Sequence, residues 1–294
     1  VSEANADQYK RLIADLVERA LVEDLGDAGD VTSQAIFSAD DRAAAVIRSK
    51  ANGVLSGTAL LAPLFSRIDP ALVLDMKASD GAMLYPGTEI CRLDGRVCAI
   101  LAGERIALNF LQHLSGIASL TARYVAAIAH TKTRLLDTRK TTPTLRHFEK
   151  MAVLHGGGCN HRFGLYDMVL IKDTHVRRAG SVTNALRATM AARDACIARG
   201  STMKIEVEVR SIAEFREALI LRPDRIMLDN MPPADMRDCV NLVSAAGKET
   251  AELEASGNIT LDTIVAVAET GVDFISSGTI THSAPALDIH LVIV

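Results

Sequence analysis

The sequence predicts an α/β chain in two parts, a β-rich α+β unit followed by a parallel, barrel-like α/β domain of roughly six strands. Three observations carry this. Between Ala43 and Leu93 short apolar pieces succeed one another across glycine and proline turns, without helix-length spacers. That is the pattern of an antiparallel sheet with a helix or two on one face. From Lys132 onward the rhythm becomes strand, loop, helix, with strand starts about 20–36 residues apart, as βα units require. Each of those later strands ends in polar or charged residues, and in a βα-barrel all such ends share one rim. An open doubly wound sheet is the alternative architecture.

The bulk numbers narrow the class. The chain has 294 residues, 49% of them apolar, and a formal net charge of −4, enough for one large domain or two ordinary ones. No apolar run approaches the ~18–20 residues that span a bilayer. The polar, then amphipathic, start VSEANADQYKRLIADLVERAL does not read as a signal peptide. Cys91, Cys98, Cys159, Cys196 and Cys239 form no CxxC pair and no metal-like spacing. Such an odd, scattered set fits reduced thiols and a cytoplasmic location. Tryptophan is absent and aromatics are few, which argues against stacking on nucleic acid.

Taken in order, Leu12, Ile13, Leu16, Val17, Ala20 and Leu21 recur at helical spacing and predict a helix over residues 8–23. The following EDLGDAGDVTS is a turn with Thr32 or Ser33 as the next cap. Its acids Glu23, Asp24, Asp27 and Asp30 read as a solvated turn rather than a cation site. In the β-rich region Asp94-Gly95 is a hairpin signal. Ile106, Phe110, Leu114 and Ile117 then mark a long buried helix, with Ser115-Gly116 as the place where it would break. The later strands fall at residues 134–136, 168–171, 204–209, 225–228, 252–255 and 273–275. Helices are expected at 181–199, 212–221, 234–245 and 261–270. The strand interiors are apolar, as burial on both faces of a parallel sheet demands.

Residues 130–178 hold ten Lys or Arg against four acids, a +6 island in a chain of net −4. Mixed with histidines and the run Gly156-Gly157-Gly158, it suits a small, highly anionic ligand. A guanidinium holds a carboxylate or phosphate through two parallel hydrogen bonds. Arg139, Arg162 and, from the long helix, Arg105 are therefore carboxylate candidates. Lys140 and Lys172 act as mobile point charges, and His161 as a donor to an anion. His147 and His155 read as exposed or structural, and the glycine run either approaches a ligand or turns the chain.

On the other strand ends, Glu208 and Asp229 offer the oxygen donors that suit Mg²⁺. The turns Ser256-Gly257-Asn258 and Ser277-Gly278-Thr279 stand where barrels hold phosphate on backbone amides. Singly, each has a bland explanation, since a lone Asp after a strand is commonly a helix cap and Ser-Gly pairs are ordinary turns. Together they describe a site for two anions, one of them phosphorylated.

The stretches ERIALNFLQHLSGIAS, DTRKTTPTLR, EKMAVLHGGGCNHRFGLYDMVLIKDTH, IEVEV, IMLDNM, EASGNI, TGVDFISSG and THSAPALDI resemble the quinolinate phosphoribosyltransferases, in order from about Glu23 to Ile289. These are the decarboxylating enzymes of NAD biosynthesis. The resemblance implies transfer of phosphoribosyl from phosphoribosyl pyrophosphate to quinolinate, giving nicotinate mononucleotide, CO₂ and pyrophosphate, with Mg²⁺ as cofactor. It implies an α/β sandwich of residues 1–116 completed by 280–294, and an open six- or seven-stranded α/β barrel over 117–279. It also implies a homodimer or hexamer in which Arg105 reaches the neighbouring site.

By motif, Arg139, His161, Arg162 and Lys172 would take quinolinate's carboxylates, with Thr138 and Lys140 bordering both ligands. Glu208 and Asp229 would serve the ribose hydroxyls and Mg²⁺. Residues 256–258 and 277–279 would hold the 5′-phosphate, with His282 a weaker candidate. Lys140, Lys172, Glu208 and Asp229 are the expected catalytic set. No nucleic acid or membrane is implied. Two residues depart from the family pattern: Thr144 stands for Gly and Thr174 for Asn. Neither replaces a charge, so altered rate or affinity is expected rather than lost activity. The alternatives are a phosphoribosyltransferase acting without decarboxylation and a protein that binds a nucleotide or metal without turnover. The two arginines with a lysine favour a dicarboxylate.

Overall fold

The structure is a computed structural model that describes residues 3–197, 203–247 and 251–294. In chain order its strands are β1 (Arg42–Ser49), β2 (Gly53–Val54), β3 (Val73–Met76), β4 (Met83–Leu84) and β5 (Glu89–Arg96). Then come β6 (Arg134–Leu136), β7 (Val169–Ile171), β8 (Ile205–Val209), β9 (Arg225–Asp229), β10 (Glu252–Ser256), β11 (Phe274–Ser276) and β12 (Ile289–Ile293). The helices are α1 (Glu3–Leu25), α2 (Val31–Ile36), α3 (Leu61–Ile68), α4 (Val97–Ala127), α5 (Arg146–His155) and α6 (Asp173–Ala179). They continue with α7 (Val182–Ile197), α8 (Ile212–Leu221), α9 (Pro233–Ala246), α10 (Ile264–Ala268) and α11 (Thr279–His282). The chain divides into two compact units, Val1–Leu120 with Ala284–Val294, and Thr121–Ser283. Among the described residues, no helix is long and apolar enough to cross a membrane.

In the first unit, β12, β1, β5 and β3 form an antiparallel sheet in that order. The C-terminal tail completes it, with Ala45 opposite Ile293 and Ser49 opposite Ile289. Ala45, Val46, Ile47, Ile90, Cys91 and Leu93 are buried on these strands, and Leu61, Leu64 and Phe65 of α3 join the core. Helix α1 buries Ile13, Leu16, Val17 and Leu21, the stripe its periodicity predicts.

Three local expectations change. The cap of α2 is Asp30, which accepts from the amides of Thr32 and Ser33, so one of the four turn acids has a structural task. Asp94-Gly95 makes no hairpin. It lies inside β5 opposite Ala44 and Ala43, Asp94 pairs with Arg42 at 2.7 Å, and a Cβ on Gly95 would meet Leu72 Cγ at 3.0 Å. Helix α4 runs unbroken through Ser115-Gly116. The buried Ser115 hydroxyl accepts from the Ser56 amide at 3.0 Å, and a side chain at Gly116 would overlap the Pro285 carbonyl.

The second unit is a parallel sheet ordered β6-β11-β10-β9-β8-β7. Beyond β6, Cys159 makes one further parallel bridge to Leu136. The sheet is therefore an open barrel whose two edges, Cys159 and β7, are joined by residues 160–168. Strand β8 is buried along its whole length. Its period of two separates Ile205, Val207 and Val209 from Glu206 and Glu208. Helices α7, α8 and α9 match the predicted segments within a residue or two, where described; part of the expected 181–199 helix lies outside the described residues. Cys91, Cys98, Cys159 and Cys239 are free thiols, and the Cys196 side chain lies outside the described residues.

Candidate active site

The loops after the parallel strands enclose a cavity of about 690 Å³. Thr138, Arg139, Lys140, His161, Arg162, Lys172, Glu208 and Asp229 line it, with both turns, Ser256-Gly257-Asn258 and Ser277-Gly278-Thr279. His282 lines it too, as do Asn230 and Ser276 from the polar strand ends, and Leu170, Met227 and Ile259, which the sequence did not single out. Arg105 is not among the lining residues; it is exposed on α4, in the first unit.

Part of the basic island proves structural. Lys150 is buried against Asp137 in a short ion pair and donates to the His161 carbonyl at 3.0 Å. Asp137 also accepts from Asn160 Nδ2 at 2.6 Å and from the His161 amide at 2.8 Å. One buried carboxylate at the end of β6 thus ties down Asn160 and His161, next to the backbone bridge of Cys159. Burial opposes both charges, pushing the Asp137 pKa up and the Lys150 pKa down, while their mutual attraction acts the other way. Arg146 braces the same region by donating to Thr141 Oγ1 at 3.0 Å and the Phe163 carbonyl at 3.2 Å. Lys132 pairs with Asp273 at 2.7 Å, and Arg177 with Asp173 at 3.5 Å. Gly157 has φ +84° and turns the chain out of α5, and the glycine run does not line the cavity. The cations left facing the cavity are Arg139, Lys140, Arg162 and Lys172.

Arg139 Nε is buried and makes no hydrogen bond among the described residues. Arg162 donates to the Met168 carbonyl at 3.1 Å, and its pKa is lowered by burial and then by the charge of Arg139. Two guanidinium groups that repel one another, one with a buried unmade donor, are costly without an anion.

His161 has a different role from the one its type suggested. Its Nε2 lies 3.0 Å from Glu206 and 3.4 Å from Glu254, both fully buried, and its Nδ1 accepts from the Arg162 amide at 2.6 Å. Nδ1 is thus taken by the backbone, while Nε2 faces the two carboxylates without a hydrogen bond among the described residues; the ring lines the cavity wall. Burial disfavours the imidazolium and the two glutamates favour it; with Nδ1 accepting from the Arg162 amide, the ring proton sits on Nε2, facing them. Burial, and after it the charge of Glu254, pushes the Glu206 pKa up. The ligand atoms of His161, Glu206 and Glu254 lie within 4.8 Å of one another, as metal ligands do. Arg225 already supplies positive charge there, 3.0 Å from Glu254.

At the exits of β8 and β9, Glu208 and Asp229 form the expected acid pair. Their chemistry suits Mg²⁺, yet each oxygen already has a protein donor. Glu208 faces Lys172 and Arg210, both at 3.4 Å. Asp229 accepts from Arg210 Nε at 3.1 Å and Asn230 Nδ2 at 3.0 Å. The pair is not a vacant cation cage.

Asn230, one of the polar strand-end residues but given no role from the sequence, ties two loops together. With φ +53° it accepts from Asn258 Nδ2 at 3.0 Å, linking the loops after β9 and β10. Gly257 has φ +97°, and a Cβ there would overlap the Asn230 amide. Thr144 has φ +71°, a left-handed conformation unfavourable for a β-branched residue. Neither Thr144 nor Thr174 lines the cavity.

An open parallel barrel with a cationic rim beside paired acids and Ser-Gly turns defines a protein that binds anionic small molecules at its strand ends. Family models for the N-terminal and C-terminal domains of quinolinate phosphoribosyl transferase match residues 30–115 and 117–292. The chain is 42% identical over 276 residues to a probable nicotinate-nucleotide pyrophosphorylase [carboxylating] of Bacillus subtilis, covering 94% of this chain and 91% of that protein. It is 41% identical to quinolinate phosphoribosyltransferase [decarboxylating] 1b of Nicotiana tabacum, covering 94% and 81%. The structure of the nicotinate-nucleotide pyrophosphorylase from Francisella tularensis superposes with a TM-score of 0.89 at 36% identity, covering 97% of this chain and 96% of that one. The chain belongs to the quinolinate phosphoribosyltransferase family.

Proposed function

We propose that the chain transfers phosphoribosyl from phosphoribosyl pyrophosphate to quinolinate and decarboxylates the product, giving nicotinate mononucleotide, CO₂ and pyrophosphate for NAD biosynthesis. The observation that carries this reading is the buried, unpartnered Nε of Arg139 beside Arg162, a pair whose like charges call for a multiply charged anion. Arg139 and Arg162 grip the two carboxylates and aim the ring nitrogen at the ribose carbon. Glu208 and Asp229 accept from the ribose hydroxyls, and the amides of residues 256–258 and 277–279 hold the 5′-phosphate. Pyrophosphate leaves with its electron pair as the ring nitrogen bonds to C1. The resulting pyridinium stabilises the electron pair left at ring carbon 2 when CO₂ departs, and a proton then replaces the carboxylate. Lys140 and Lys172 stabilise charge on the leaving group.

Mg²⁺ would neutralise the pyrophosphate, held by Glu208 and Asp229 once their present donors move. Arg105 serves a neighbouring subunit of a dimer or hexamer; its exposure on α4 supports this. The free thiols support a cytoplasmic location. Removing one charged donor from such a site costs on the order of 10²–10³ in rate. Arg139→Ala and Lys140→Ala should therefore nearly silence turnover while circular dichroism shows the fold intact. Near-normal turnover in both variants would refute the assignment. Mixed Arg105→Ala and Lys140→Ala subunits should regain activity, because one shared site then has both groups. No regain would refute the shared site.

A further inference from the structure

Arg210 is the first residue past β8, and continuing the β8–β9 register from Val209 and Leu228 sets it beside Asp229. Its three guanidinium nitrogens address three acids from three strand ends. Nε lies 3.1 Å from Asp229, NH1 3.1 Å from Asp173 and NH2 3.4 Å from Glu208. Its backbone is anchored separately, since its amide donates to Glu214 at 2.7 Å. The side chain is about half exposed, at 49%, so it can leave without unpacking a core. Among the described residues, two other cations pair with these acids: Lys172, 3.4 Å from Glu208, and Arg177, 3.5 Å from Asp173.

Resting on the phosphoribosyl-transfer reading, we propose that Arg210 is a tethered counter-cation for the Glu208–Asp229 pair, displaced when the donor's ribose and divalent cation arrive. In the unliganded protein it occupies the acids as an external cation would. A carboxylate oxygen held in an ion pair presents a weaker field to a second cation. Arg210 therefore raises the divalent-cation concentration the acids need. Once displaced, its planar donor fork is free beside the site where pyrophosphate forms.

The test uses Mn²⁺ alone with the full chain and no substrate, counting free Mn²⁺ by electron paramagnetic resonance. Arg210→Gln should bind Mn²⁺ about fivefold more tightly than the unaltered chain, the scale set by an incompletely buried ion-pair network. Adding Asp229→Asn to Arg210→Gln should remove that gain. Arg210→Lys, which keeps the charge but loses the fork, should fall between the two and guards against a folding defect in the glutamine variant. Unchanged Mn²⁺ affinity in Arg210→Gln, or a gain that survives Asp229→Asn, would overturn the proposal. The readout is independent of turnover. A chain that makes nicotinate mononucleotide without the Mn²⁺ effect loses only this inference, and one that shows the effect without making product loses only the assigned reaction.

Discussion

Lys150→Met removes the cation from the most deeply buried ion pair near the site while keeping the length and most of the volume of the side chain. Lys150 is 2% exposed and Asp137 fully buried, so the loss leaves an uncompensated carboxylate in the core. Breaking such a pair from one side costs about 3–5 kcal/mol. Asn160 and the His161 amide still donate to Asp137, which favours the lower end, about 3 kcal/mol. For a unit of this size that is a fall of roughly 6–12 °C in melting temperature. The His161 carbonyl also loses its 3.0 Å donor, so the segment carrying Arg162 should shift, and a 1 Å misplacement costs about 10²-fold in kcat/KM. Thermal unfolding and steady-state kinetics with quinolinate read the two effects. The double variant Asp137→Leu with Lys150→Met removes the orphaned charge. It should recover part of the stability but none of the activity. A melting temperature within 2 °C of the unaltered chain, with unchanged kinetics for quinolinate, would show that the ion pair does not hold this segment.

Three other substitutions separate stability from function. Arg139→Met should leave the melting temperature unchanged or raise it slightly, since the guanidinium has a buried unpartnered nitrogen and a like-charged neighbour; a large loss of stability would contradict a ligand-binding role. Thr144→Gly relieves a φ of +71°, worth about 1–2 kcal/mol, against about 0.5–1 kcal/mol for the freer unfolded chain. Denaturant titration should therefore show a net gain near 0.5–1 kcal/mol, and a loss would place the residue's role in contacts instead. Gly257→Ala puts a Cβ into the Asn230 amide at φ +97° and should raise the KM for phosphoribosyl pyrophosphate at least tenfold with little change for quinolinate; equal effects on both would count against the 5′-phosphate assignment.

How legible these features were in the sequence depended on whether their cause was local. The barrel strands read clearly because a doubly buried strand is a short apolar run, and the polar ends of those runs marked the rim. Asp94-Gly95 and Ser115-Gly116 misled because their glycines answer to Leu72 and Pro285, partners remote in sequence. Helix α5 escaped because it buries Glu149 and Lys150, so no clean apolar stripe marks it. The +6 island overstated the site for the same reason, since Lys150 and Arg146 brace the chain and ligate nothing in the cavity. Nothing in the sequence singles out Arg210. Only the meeting of Asp173, Glu208 and Asp229 around it gives it a role, and no spacing in the chain announces that meeting.

The central claim is decarboxylating transfer to a pyridine dicarboxylate. Its most direct test is incubation of the purified chain with phosphoribosyl pyrophosphate, Mg²⁺ and quinolinate labelled in the carboxyl on ring carbon 2. Labelled CO₂ should appear in a one-to-one ratio with nicotinate mononucleotide, and nicotinate offered in place of quinolinate should give no product. Nucleotide formed without labelled CO₂, or turnover of nicotinate at a comparable rate, would contradict it.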